Sequence, residues 1–234
     1  IGSLIYLGSN MPYAFIFSSS ILIIALATDD NSSLKKDTII LVFLYLLNYQ
    51  VIFLIPSYYL CKFLLYYNQK KWPDFKSLIP SLCLLTIVFF SFMFFNKRAE
   101  VTGIHDKIGI NWNSGINNEF IFENNNYLHQ ILDYFSYLPR SIFYHLNENF
   151  FDFKFISIIF WFVIIFIIKS IVINKKVSKY YVFGISSLFV FMMLAMLGKT
   201  SFGPTRHTLF LVPVTLALFF PLFINAGKKI KFLV

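Results

Sequence analysis

Charge is scarce in this chain: only 13% of its 234 residues are Asp, Glu, Lys or Arg, against 58% hydrophobic and 31 Phe. A soluble domain built from that composition would carry more apolar surface than its interior has room to hide, which predicts a chain placed in a bilayer. Cysteine is scarcer still. Cys61 and Cys83 share no CxxC or Cys/His spacing, which excludes a disulfide framework and a thiolate metal site, and both read as small buried apolar residues. Acidic residues number 11 against 20 basic ones, for a net charge of +9 and a pI near 9.4. The lysines nevertheless sit scattered at the ends of apolar runs, with no stripe of interleaved aromatics, which argues against a nucleic-acid partner. No internal repeat is present and the apolar runs are poor in ionisable residues, which weighs against a transporter or flippase. The chain opens on Ile1 with no basic n-region and no cleavage site, and is expected to be a fragment whose N-terminal portion is missing.

What is present is a series of long apolar stretches. Met11–Thr28, Leu78–Phe95, Phe155–Asn174, Tyr180–Leu197 and Thr208–Asn225 approach the length of a membrane span. Thr38–Tyr67 is too long for one span and holds Asn48, Tyr49 and Gln50 at its centre; polar groups are costly at mid-membrane, so it splits into two short helices, Thr38–Leu47 and Val51–Tyr67. The fold class expected is an all-α polytopic membrane protein of about seven transmembrane helices. Residues 1–95 supply about four of them and 155–234 three, flanking one long extracytoplasmic loop, 96–154. Thirteen of the 20 basic residues and four of the 11 acidic ones then fall on one face, which fits the cytoplasmic side of a bacterial inner membrane, the lysines serving as topology anchors and contacts for membrane lipid, anionic lipid in particular.

The long loop changes character halfway. Its first part is rich in Asn and Gly and reads as turns. Leu128, Ile131, Leu132, Phe135 and Leu138 then recur at helical spacing and predict an amphipathic interfacial helix, broken at Pro139 and followed by a second short helix capped by Ser141.

Arg206 and His207 follow the Gly203-Pro204 turn at the head of the last apolar run. A guanidinium at a helix N-terminus faces a dipole of its own sign, which makes sense where an anion shares the site. Lys199 adds positive potential nearby.

The stretch "FGPTRHTLFLVPVTLALFF", with its internal Pro213, resembles the last-span signature of GT-C membrane glycosyltransferases of the protein-mannosyltransferase-like family 39 group. "YLGSNMPYAF" is similar to the Glu-x-Arg-Pro-Tyr box of that group at Pro12 and Tyr13, but has Ser9 and Met11 at the acidic and arginine positions; the outer loop "GINWNSGINNEF" is also similar. The resemblance implies a glycosyltransferase that moves a sugar, with inversion, from a polyprenyl-phosphate-linked donor to a glycan, lipid or protein acceptor. Arg206 and His207 would hold the phosphate, Trp112 and Tyr13 would stack on sugar or line the lipid groove, and Asp106 and Glu119 would orient the acceptor or a divalent ion. No cofactor is expected. The catalytic carboxylate would lie upstream of Ile1, and Asp29-Asp30 is set aside as lying on the wrong face. An O-antigen polymerase or ligase, relying on Arg98 and Arg140, is the alternative enzyme; a transporter or flippase is the alternative outside enzymes.

Overall fold

The computed structural model describes residues 11–47, 49–70, 73–102, 127–151, 153–174, 178–196 and 208–230. The described residues form eight α-helices and two short 3-10 segments, and no strand is found among them. In chain order the helices are α1 Met11–Thr28, α2 Leu34–Leu47, α3 Ile55–Gln69, α4 Phe75–Thr102, α5 Tyr127–Tyr144, α6 Lys154–Asn174, α7 Lys179–Met196 and α8 Leu211–Ile230. The 3-10 segments are Tyr49–Phe53 and Glu148–Phe151.

The all-α character expected from the sequence is present; the expected membrane spans are not. Among the described residues no helix is long and apolar enough to cross a membrane. The reading as a polytopic protein with about seven spans is corrected accordingly, and with it the placement in a bacterial inner membrane with an extracytoplasmic loop. Five of the eight helices, α1, α2, α3, α5 and α7, have 14 to 18 residues, at most about 27 Å at 1.5 Å per residue and short of a hydrocarbon core of about 30 Å.

Several boundaries follow from local chemistry. The chain leaves α2 at Leu47 and passes through a 3-10 turn before α3, whose first turn accepts Pro56 without losing a hydrogen bond. At its far end α3 closes on Lys70, the one non-glycine residue with positive φ (53°) among those described, whose N–H donates to the carbonyls of Tyr66 and Tyr67. At the head of α4 the Asp74 carbonyl accepts from both the backbone N–H and the hydroxyl of Ser77.

Pro139 does not break the amphipathic helix. α5 runs through it from Tyr127 to Tyr144 as one element. A proline inside a helix frees the carbonyl four residues back and crowds the next one. Both freed groups find donors on α6: Trp161 Nε1–H donates to the Phe135 carbonyl at 2.6 Å, and the Ser157 hydroxyl donates to the Ser136 carbonyl. Compensation from the neighbouring helix, absent from any local reading of the sequence, keeps α5 whole.

α7 lies at the centre, packed against α8, α3 and α1, while α5 packs on α6 and α2 on α4. Phe53 of the 3-10 segment stacks on Phe210 at 5.4 Å and meets Phe191 of α7 edge-on at 6.0 Å, with Phe191 and Phe210 5.5 Å apart. All three rings are buried, each contributing about 1.5–3 kcal/mol of transfer free energy. Around them lie Ile23, Leu41, Tyr58, Phe183 and Leu218, also fully buried. Cys61 is buried, as expected; Cys83 is exposed, contrary to expectation.

α7 and α8 approach closely at Gly184, where an added Cβ would stand 2.7 Å from the Leu218 Cβ. Gly184→Ala is therefore expected to lower stability by about 1–3 kcal/mol through overpacking. Thermal unfolding of Gly184→Ala checks this: the variant is expected to lose stability, whereas an unchanged Tm would contradict the close contact.

Candidate functional site

The densest polar chemistry among the described residues lies where α1 ends and α2 begins. The last carbonyls of α1 have no partners within their own helix. Two lysines from distant parts of the chain take them. Lys62 Nζ, on α3, donates to the Asp29 carbonyl at 2.7 Å, and Lys179 Nζ, at the head of α7, donates to the Thr28 carbonyl at 3.0 Å. Cations at a helix C-terminus also meet the negative end of its dipole. Lys179 is additionally paired with Asp30.

Lys62 is 1% exposed, its head group as well as its stem, and it has three protons to place. Besides the Asp29 carbonyl it donates to the Ser32 hydroxyl and lies 3.6 Å from Asp37 Oδ2. The same carboxylate oxygen accepts from Ser32 Oγ at 2.7 Å and from the Tyr58 hydroxyl at 2.7 Å. At the next residue of α2, Thr38 Oγ1 is 3.1 Å from the Tyr59 hydroxyl and 3.0 Å from Ser81 Oγ, which brings α4 into the same network. Residues from α2, α3, α4, α7 and the α1–α2 turn thus share one buried polar cluster.

Burial pushes the Lys62 ammonium below the usual amine range, against the pull of Asp37 toward the charged form. The Tyr58 phenol is held far above its ordinary value, first by burial, then by its hydrogen bond to Asp37 and by that group's charge. Burial likewise pushes the Cys61 thiol up to about 12, which keeps it protonated and a poor nucleophile. With its three acceptors in place the Lys62 ammonium has no open position for a substrate. The cluster is a clamp.

A second, smaller polar contact sits at the other end of the bundle. His145, just past α5, lies with Nε2 2.9 Å from Thr208 Oγ1, both side chains buried, where the chain enters α8. Arg140, also buried, sets its guanidinium over the Tyr137 ring at 4.8 Å.

The residues singled out in the sequence are only partly reached. Arg206, His207, Lys199, Trp112, Asp106 and Glu119 lie outside the described residues, as do the side chains of Tyr13, in α1, and of Arg98, in α4. Asp29 and Asp30 are occupied structurally: Asp29 Oδ1 accepts from the Asn31 N–H at 2.9 Å and Asp30 pairs with Lys179. Among the described residues no group of three His, Cys, Asp or Glu side chains is placed to hold a metal ion. The Asp37–Lys62–Tyr58 cluster was missed by the sequence reading, which took Lys62 for one more helix-end anchor. Its signal was there: a lysine inside an apolar run calls for a buried partner, and Asp37 is the acid at the head of the preceding helix.

No protein-family model, curated protein or solved structure matches the chain.

Two outcomes follow from the clamp. Removing the cation leaves a buried carboxylate uncompensated, so Lys62→Met is expected to cost about 3–5 kcal/mol, while Lys62→Met/Asp37→Leu recovers most of it; denaturant unfolding measures both, and equal losses in the single and double variants would contradict the pairing. The Tyr58 phenol gives a pH signature. Above about pH 10 the unfolded chain releases this proton while the folded molecule retains it, so rising pH favours unfolding. Tyr58→Phe should therefore lose less stability than the wild type between about pH 10 and pH 11; parallel loss in the two proteins would refute the raised phenol.

Proposed function

We propose that the chain takes part in glycosyl transfer from a polyprenyl-phosphate-linked sugar to an acceptor hydroxyl, with Arg206 as the phosphate-binding cation. One observation carries this reading: the Arg206-His207 step leads directly into Thr208, a buried residue hydrogen-bonded to His145 at 2.9 Å. An arginine that must meet a leaving phosphate at a fixed geometry needs a fixed neighbour, and Thr208 is one. The order of residues from Phe202 to Phe220, with Pro213 inside the helical run, supports the same reading through its likeness to the family 39 signature.

In this account the guanidinium neutralises the phosphate as the glycosidic bond breaks, and His207 donates a further hydrogen bond. Trp112 and Tyr13 stack on the sugar or line the path of the lipid chain, Lys199 adds positive potential, and Asp106 and Glu119 orient the acceptor. A carboxylate serves as general base on the acceptor hydroxyl. Large apolar side chains exposed on α4 and α6, among them Phe90 and Phe162, offer the polyprenyl chain an apolar surface.

The test is transfer from a labelled polyprenyl-phosphate sugar by the full-length protein. Arg206→Ala is expected to reduce kcat/KM by about 100-fold to 1,000-fold, with Arg206→Lys intermediate because a point charge replaces a bidentate fork. Unchanged turnover in both variants would reject the assignment, and movement of the lipid-linked sugar without transfer would favour a flippase.

A further inference from the structure

The clamp gathers the ends of several helices, and the exposed lysines gather with them. Lys35 and Lys36 lie within one turn of Asp37; Lys70 caps α3 about 12 Å beyond Lys62; Lys76 lies about 8 Å before Ser81 on α4. Lys169 belongs to the last turns of α6, which leads into α7 at Lys179. These five lysines are all exposed. Because Lys62 and Lys179 cross-link the α1–α2 turn to α3 and α7, and Thr38 and Ser81 tie α2 to α4, Lys35, Lys36, Lys70 and Lys76 project from one end of the bundle, and the short step from Asn174 to Lys179 brings the Lys169 end of α6 to the same side. The acids on the same end do not cancel them. Asp37 is buried in the clamp and Asp30 is paired with Lys179, leaving Asp29 and Asp74 exposed. At the opposite end, among the described side chains, Lys154 is the exposed cation, and Arg140 is buried.

The flanks of the basic end are apolar. Phe75 is 73% exposed beside Lys76, with Ile79 exposed one turn on, and Ile39 and Phe43 are 62% and 61% exposed on α2 just beyond Lys36. Fixed positive charge rimmed by exposed apolar side chains is the arrangement that suits a layer of phosphate head groups over acyl chains. A soluble polyanion would use the charge and leave the apolar rim in water.

We infer that this end of the bundle is a docking surface for anionic lipid, with Lys35, Lys36, Lys70, Lys76 and Lys169 on the head-group phosphates and the adjoining apolar side chains against the acyl boundary. The surface is separate from the Arg206 segment and does not depend on the proposed glycosyl transfer.

Cosedimentation of the purified chain with vesicles tests it, using phosphatidylcholine alone and phosphatidylcholine with about one third phosphatidylserine. The chain is expected to partition preferentially onto the anionic vesicles, with that preference shrinking as salt is raised to about 0.5 M. Each surface lysine is worth about fivefold, so the variant with Lys35, Lys36, Lys70 and Lys76 all changed to Gln should lose at least about 100-fold of the preference. The matching Lys→Arg variant should keep it, and Lys154→Gln should leave it unchanged. Circular dichroism confirms that the Gln variant retains its helices; if it does not, Lys35→Gln/Lys36→Gln and Lys76→Gln alone take its place, each expected to weaken the preference in proportion. Equal binding to both vesicle types, or an effect of Lys154→Gln as large as that of Lys76→Gln, would overturn the inference. So would abolition of vesicle binding by an equimolar RNA competitor that itself binds more tightly.

Discussion

A buried ammonium must find acceptors for its protons or stay out of the interior, and Lys62 finds them on the α1–α2 turn and at the head of α2. That requirement decides which helix ends meet. The Asp29 carbonyl, the Ser32 hydroxyl and the Asp37 carboxylate are drawn to one point, Tyr58 closes the carboxylate from the other side, and Lys179 repeats the pattern one carbonyl earlier. A buried ion pair adds little net stability over a well-packed apolar pair; its contribution is specificity, since any other register of α2 on α3 leaves a charge unpaired in the interior. Apolar packing alone, in a chain this rich in Phe, Ile and Leu, would tolerate many registers.

From that fixed end the remaining features follow in order. The aromatic group of Phe53, Phe191 and Phe210 locks the 3-10 segment against α7 and the start of α8. Trp161 and Ser157 keep α5 continuous through Pro139, which carries His145 to Thr208. The bundle therefore has two chemically different ends. One is basic at its surface and clamped beneath; the other holds the His145–Thr208 contact and the entry into α8, next in sequence to the Arg206-His207 pair on which the proposed phosphate chemistry rests.

The helices lie where the apolar runs are, because a 3.6-residue period and the absence of turn residues are local properties that survive any tertiary arrangement. The division of the run into α2 and α3 was legible for the same reason: three polar residues inside an apolar run have to be placed somewhere. Hydrophobicity was over-read as membrane spanning: among the described residues no helix is both long and apolar enough to cross a membrane, and α1, α2, α3, α5 and α7 are shorter than a hydrocarbon core is thick. Pro139 was misread because its compensation comes from α6, and the clamp was missed because Asp37 and Lys62 are 25 residues apart and on different helices. The Arg206 site lies outside the described residues, so its support is still carried by residue order and by the Thr208 anchor.

Lysine acetylation of the folded protein, read residue by residue by mass spectrometry, reports the burial of Lys62 and the exposure of the basic end in one experiment. Lys62 should stay unmodified under conditions in which Lys35, Lys36, Lys70, Lys76 and Lys169 react fully, and should become reactive once Asp37 is replaced by Asn. Acetylation of Lys62 at the rate of its surface neighbours in the intact wild-type fold would contradict the account at its root.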